Sequence, residues 1–172
     1  MSEKKLPIQK PPIHTYLHYA HDLEILLACE HYLPSFHMNF IQVNFLKNHF
    51  DKNTPNRHYM EFYYIRFAIH SWLLREAVTF EQLTAQGYSV PEFIMNSIDS
   101  GHYIRIMVDE FYLPPKASFK ERHFEHFTQV FGYNREEKIF YITGFDAAGI
   151  YGTQKVSFDD FEKSTDCSDR KF

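Results

Sequence analysis

His126-Phe127-Thr128-Gln129-Val130-Phe131-Gly132-Tyr133 decides how this chain is read. Its aromatic and β-branched residues favour an extended, half-buried backbone, and Asn134-Arg135-Glu136-Glu137 ends the run as a charged turn. A second run follows, Phe140-Tyr141-Ile142-Thr143-Gly144-Phe145-Asp146, closed by the turn Ala147-Ala148-Gly149. Residues 123–133, 138–146 and 150–156 therefore predict three strands. His102-Tyr103-Ile104-Arg105-Ile106-Met107-Val108-Asp109 alternates in the same way and predicts a fourth, with Leu113-Pro114-Pro115 as the turn after it. Ser157 then caps a short helix over 158–163.

Upstream the signals are helical. Thr79-Phe80-Glu81-Gln82 has the spacing of a capping box, and Ser89-Val90-Pro91-Glu92 is a second helix start, with proline at the first helical position. That helix should stop near Ser100-Gly101. Residues 17–33 hold the dense apolar run Leu23, Ile25, Leu26, Leu27 and Ala28, so helix is expected around and after Cys29, with Pro34 leaving its extent open. Residues 38–49 fit strand or helix, 51–56 form a loop, and 57–76 read as mixed or helical. The prolines in residues 1–13 predict an extended arm, and 164–172 reads as a flexible tail. Helices first and an antiparallel sheet second make an α+β domain spanning 1–172, with no internal repeat.

Composition narrows the classes of function. A chain of 172 residues can bury a substantial core. The net charge is −4 and no Lys/Arg block stands out, so no nucleic-acid partner is expected. No run reaches the length of a membrane span, and the N-terminal stretch lacks the apolar core of a signal peptide. With two cysteines, the expected setting is soluble, reducing and cytoplasmic; a Cys29–Cys167 disulfide is possible but is not the default. The 18 Phe and 12 Tyr suggest a ring-rich core, or in part an aryl pocket drawn from Phe62, Tyr63, Tyr64, Phe67, Trp72, Phe111 and Tyr112.

Three residues carry the candidate chemistry. Cys29 would be a thiolate nucleophile, activated if it opens a helix, or else a small buried apolar residue. His126 would deprotonate it and later shuttle the proton, or else be a structural histidine. Asp146 would hold the imidazole tautomer, or else cap its own turn. Hairpin register bears on the last pair. A five-residue loop, 134–138, sets His126 opposite Asp146. A four-residue loop turns the two to opposite faces unless a bulge or bend restores them. The Cys29 amide is the first oxyanion donor, with His21 or Asn39 as guesses for the second. His14, His18, His21 and Asp22, or His123 with His126, have spacings that a metal site could use, but nothing else supports one and no metal is expected. Lys116, Lys120, Arg122 and Arg105 form a modest basic group, either a docking surface for an acidic carrier protein or a solvated loop.

These residues resemble the papain-like fold, in particular the bacteriocin-processing cysteine peptidases and the butirosin-type acyltransferases of natural-product clusters. The resemblance rests on residues 126–133, the charged turn, and 140–146. Residues 151–163 are also similar to small acyltransferase-like proteins of nonribosomal peptide clusters. It implies a single papain-like domain, N-terminal helices packed on a C-terminal sheet, with a Cys29-His126-Asp146 triad. Two features depart from the family. Leu23 stands where a glutamine usually helps hold the oxyanion, and Leu27-Ala28-Cys29-Glu30-His31 lacks the usual Asp-Cys-Gly or Cys-Trp context. One lost oxyanion donor costs roughly 100- to 1000-fold, which an amide tolerates worse than an activated thioester. The resemblance thus implies an acyltransferase or amide ligase of the closthioamide amide-synthetase type, acting through a Cys29 acyl-enzyme. Its partners would be an acyl or peptidyl carrier protein, with the substrate on a phosphopantetheine arm, and an amine acceptor. It implies no other cofactor. The alternatives are a cysteine peptidase and a non-catalytic domain that binds a peptide or carrier protein.

Overall fold

The structure, a computed structural model, describes residues 2–40, 43–45, 60–62 and 72–166. In chain order these form β1 (Glu3–Lys5), α1 (Leu17–Leu26), a 3-10 turn (Glu30–Tyr32), α2 (Leu33–Phe40), β2 (Val43–Phe45) and β3 (Met60–Phe62). There follow α3 (Phe80–Ala85), α4 (Val90–Asp99), β4 (Ile104–Asp109), a second 3-10 turn (Glu110–Tyr112), β5 (Glu125–Asn134), β6 (Ile139–Phe145), β7 (Tyr151–Ser157) and α5 (Phe158–Thr165). This is an α+β architecture, with helices leading and an antiparallel sheet following. No described helix is long and apolar enough to cross a membrane.

β5 organises the main sheet. One of its edges pairs with β6, which pairs in turn with β7. The other edge is shared end to end. β4 takes its first half, from Asp109↔Glu125 to Ile104↔Val130, and β1 takes its second half, from Lys5↔Gly132 to Glu3↔Asn134. The expected extended arm is therefore partly a sheet strand. Gly132 permits this, because a Cβ there would lie 2.6 Å from the Lys4 carbonyl oxygen. β2 and β3 pair with each other separately.

The hairpin joining β5 to β6 contains a register shift. Asn134↔Ile139, Tyr133↔Phe140 and Gly132↔Tyr141 follow a four-residue loop, residues 135–138. A bulge between Val130 and Gly132 then moves the pairing by one, to Val130↔Ile142 and Gln129↔Thr143. The loop length alone would turn His126 and Asp146 to opposite faces, and the bulge reverses that. Continued downward, the ladder would bring the two level, but it ends at Gln129↔Thr143.

The two sheet faces bury different things. On one face Val108, Val130, Phe140, Ile142 and Val156 pack against Ile94, Met95 and Ile98 of α4 and Phe161 of α5. The expected capping box of Thr79 with Gln82 forms; the helix read to start at Ser89 does so, with a second box to Glu92 and Pro91 at its second position rather than its first, and α4 ends at Ser100 with Gly101 at φ 87°. Ser157 caps α5 through the Asp160 amide, and that helix runs on through buried Ser164 and Thr165, two residues into the stretch expected to be a tail. The opposite face of the sheet meets α1.

α1 departs from the expected helix placement. It ends at Leu26, before Cys29, and Pro34 lies in the first turn of α2, where proline is tolerated. Leu23, Leu26 and Leu27 at the far end of α1 pack with Tyr32, Phe36 and Phe40. The loop expected at 51–56, Tyr59, Tyr63, Tyr64, Phe67 and Cys167 lie outside the described residues.

Candidate functional site

The N-terminal end of α1 stands against β4, β5 and the end of β6, and the gap between them is a cleft of about 210 Å³. His18 and His21 line it from the helix; Arg105, His126, Phe127 and Phe145 line it from the sheet. Leu17, Ala20, His21 and Glu24 follow the i, i+3, i+4, i+7 spacing of one helix face, so one buried stripe carries two apolar and two polar residues.

Glu24 lies beneath the cleft and is almost completely buried. Its Oε1 accepts hydrogen bonds from Gln129 Nε2, at 2.6 Å, and from the Thr143 hydroxyl; its Oε2 accepts from the Tyr151 hydroxyl at 2.7 Å. Burial pushes its pKa up to about 7, against the opposing pull of those three donors. The same burial, and the Glu24 charge beside it, raise Tyr151. These bonds tie α1 to three strands and set the position of the cleft's helical wall.

His21 lies one turn closer to the cleft and has no solvent exposure. Neither ring nitrogen makes a hydrogen bond of proper geometry; the Thr143 backbone is the polar group whose influence reaches it. Burial drives its pKa down to about 3, and the positive charges of Arg105 and Lys116 push the same way, so the ring is neutral.

Two histidine–carboxylate pairs sit where β4 meets β5. His126 Nδ1 is 3.4 Å from Glu110 Oε1; its side chain is 40% exposed and that of Glu110 12%. His123 Nδ1 is 2.6 Å from Asp109 Oδ2, with the His123 ring stacked on Phe111 and largely exposed. Burial alone would raise Asp109, but bonds from His123 and from the Phe111 and Phe124 amides outweigh it and hold the carboxyl below its usual range. Asp109 thus clamps the base of the loop between β4 and β5. Of the two histidines, His126 is the one on the cleft wall.

The predicted triad does not come together among the described residues. Cys29 is exposed and carries a free thiol, just past the C-terminal end of α1, whereas the cleft lies at the other end of that ten-residue helix. Such a helix is about 15 Å long. The cysteine does open a helical stretch, as the N-cap of the first 3-10 turn, but no contact joins it to His126 or Asp146. Asp146 Oδ1 accepts from the Ala148 amide at 2.9 Å and the Ile150 amide at 2.8 Å, so this carboxylate caps its own turn.

The other expected groups divide. Of the two oxyanion guesses, His21 is in the cleft and Asn39 bonds Ser35 within α2. Lys116 is buried, with Nζ donating to the Phe145 carbonyl at 2.9 Å, so it is no part of a docking surface. Lys120 and Arg122 are exposed. No three His, Cys, Asp or Glu side chains converge as metal ligands among the described residues.

Sequence reasoning missed Glu110, Asp109 and Glu24. Glu24 had a readable signal, a carboxylate on the same helical stripe as Leu17 and Ala20. Glu110 did not, because its approach to His126 depends on how a long loop sets β4 against β5. Comparison of the chain with protein families, with curated proteins and with solved structures finds no match.

Proposed function

We propose that this chain is an acyltransferase of papain-like architecture in which His126, oriented by Glu110, acts as general base. The observation that carries the reading is the His126–Glu110 pair on the wall of an open cleft. A helix packed on an antiparallel sheet whose central strand bears the histidine supports the papain-like part of it. Nδ1 faces a carboxylate, which leaves Nε2 for a proton of the substrate. An amine nitrogen attacks the carbonyl carbon of an acyl thioester, His126 takes the amine proton, the C–S bond breaks, and the departing thiolate receives the proton. The acyl donor would ride on the phosphopantetheine arm of a carrier protein, as the sequence resemblance implies.

Cys29 has no place in this scheme, because it stands at the other end of α1. The acyl-enzyme form of the reaction is the second reading, favoured by the exposure of that thiol. Amide formation from an aryl thioester and a simple amine, followed with intact-protein mass, separates the two. Loss of at least 100-fold in His126→Ala, full activity in Cys29→Ala and no acyl adduct support direct transfer. A wild-type adduct that vanishes in Cys29→Ala, with loss of turnover, establishes the acyl-enzyme instead. No turnover and no adduct leave a non-catalytic binding domain.

A further inference from the structure

The cleft holds more positive charge than a general base requires. Arg105 lines it, and Lys116 is close enough to depress His21. Asp22, the carboxylate that pairs Arg105, is already engaged. Asp22 receives Arg75 at 2.6 Å and Arg105 at 3.6 Å, so two guanidinium groups share its negative charge.

The start of α1 faces the same space. Thr15, Tyr16, Leu17 and His18 line the cleft, and no side chain caps this helix at Tyr16. The amides at a helix start carry a partial positive charge and suit an anion. His21 is an independent sign of a ligand. A fully buried imidazole on the cleft wall with both nitrogens unsatisfied is costly unless something bonds it.

Arg105 and Phe127, stacked at 5.2 Å, also form a wall of a second groove of about 290 Å³. Val78, Phe80, Leu83, Phe93 and Ile106 make most of its lining apolar, and Glu76 and Tyr103 also line it. A polar anion site and an apolar groove thus share one wall.

We propose that the cleft binds the headgroup of an amphipathic anion, a carboxylate or phosphate, held by Arg105, His21 and the first amides of α1, with the apolar part of the molecule in the adjoining groove. The inference deepens the acyl-transfer reading by naming the class of molecule the same site takes, and it rests on that reading only for the chemistry that follows binding.

Titration calorimetry on the full chain with octyl phosphate, octanoate and octanol tests it. At least one anion should bind, with octanol at least tenfold weaker. Octyl phosphate alone, or octanoate alone, identifies the headgroup, and both binding shows that either oxyanion is accepted. Arg105→Gln should weaken anion binding at least tenfold. Because that residue also pairs Asp22, Thr15→Glu is the second variant: a carboxylate beside a helix start favours folding, occupies the anion site and should abolish anion binding. Octanol binding as tightly as the anions, neither anion binding, or Thr15→Glu binding like wild type would each overturn the proposal. Anion binding without any His126-dependent amide formation would leave this inference standing and remove the acyl-transfer reading.

Discussion

The Nδ1 of His126 lies 3.4 Å from the Oε1 of Glu110, while Asp146, the acid expected to orient it, spends its Oδ1 on two amides of its own turn. The carboxylate that follows β4 stands where the one that follows β6 was expected. Glu110→Gln should therefore lower kcat for amide formation by about tenfold or more, within the roughly 100- to 10000-fold that a general base contributes. Asp146→Asn should leave kcat within about twofold. The opposite ranking would return the orienting role to Asp146.

Asp146 matters instead to stability. Removing its carboxylate in Asp146→Ala strands the Ala148 and Ile150 amides, which resembles losing a helix cap and should cost about 1–2 kcal/mol. For a domain of this size each kcal/mol moves Tm by roughly 2–4 °C. A thermal melt with unchanged midpoint would contradict the turn-capping role.

Glu24 predicts a pH dependence of stability. Its folded pKa is about 7 against an ordinary 4.5, so the folded state holds the proton more tightly. Its contribution is present below pH 4.5 and is lost as pH rises through about 7, a change of roughly 3 kcal/mol. His21 acts in reverse. Its folded pKa is about 3 against 6.5, so its contribution is present above pH 6.5 and is lost as pH falls toward 3. The two slopes oppose one another between pH 4.5 and 6.5, which flattens the wild-type curve. Glu24→Gln keeps the shape and most of the bonds. Its stability relative to wild type should rise across pH 4.5 to 7 in urea unfolding, and a constant difference would refute the raised pKa.

Gly132 is where β1 crosses β5 most closely. In Gly132→Ala the new Cβ would meet the Lys4 carbonyl at 2.6 Å and the Lys5 Cα at 3.0 Å, both backbone. Overpacking of this kind costs about 1–3 kcal/mol. Amide hydrogen exchange should show β1 losing protection while β6 and β7 keep theirs.

Cys29 is exposed and outside the cleft, so iodoacetamide should alkylate it in the folded protein. The alkylated protein should still form amide at the wild-type rate. Protection from alkylation by a bound thioester would instead bring Cys29 back to the site.

Local signals in the sequence carried much of the fold. The strands at 125–134, 139–145 and 151–157 follow from alternation and turn residues, which act over a few positions. The Thr79 capping box, the helix start at Ser89 and the Ser157 cap form as read, because each rests on hydrogen bonds closed within one helical turn. The placement of helix around Cys29 was less legible. The apolar run ends α1 at Leu26, and a 3-10 turn separates it from α2.

What the sequence by itself determined is strands β4 to β7, the helix starts at Thr79, Ser89 and Ser157 and the histidine at the head of β5, since short-range backbone preferences and hydrogen bonds dictate them. The tertiary structure alone decided which acid meets His126, that Cys29 and the cleft lie at opposite ends of α1, and that Arg105 and His21 face one space. Those outcomes depend on a one-residue bulge in β5, on the pairing of β4 with β5 across a long loop, and on the tie of Glu24 to three strands. Each joins residues far apart in the chain, so no local pattern encodes it.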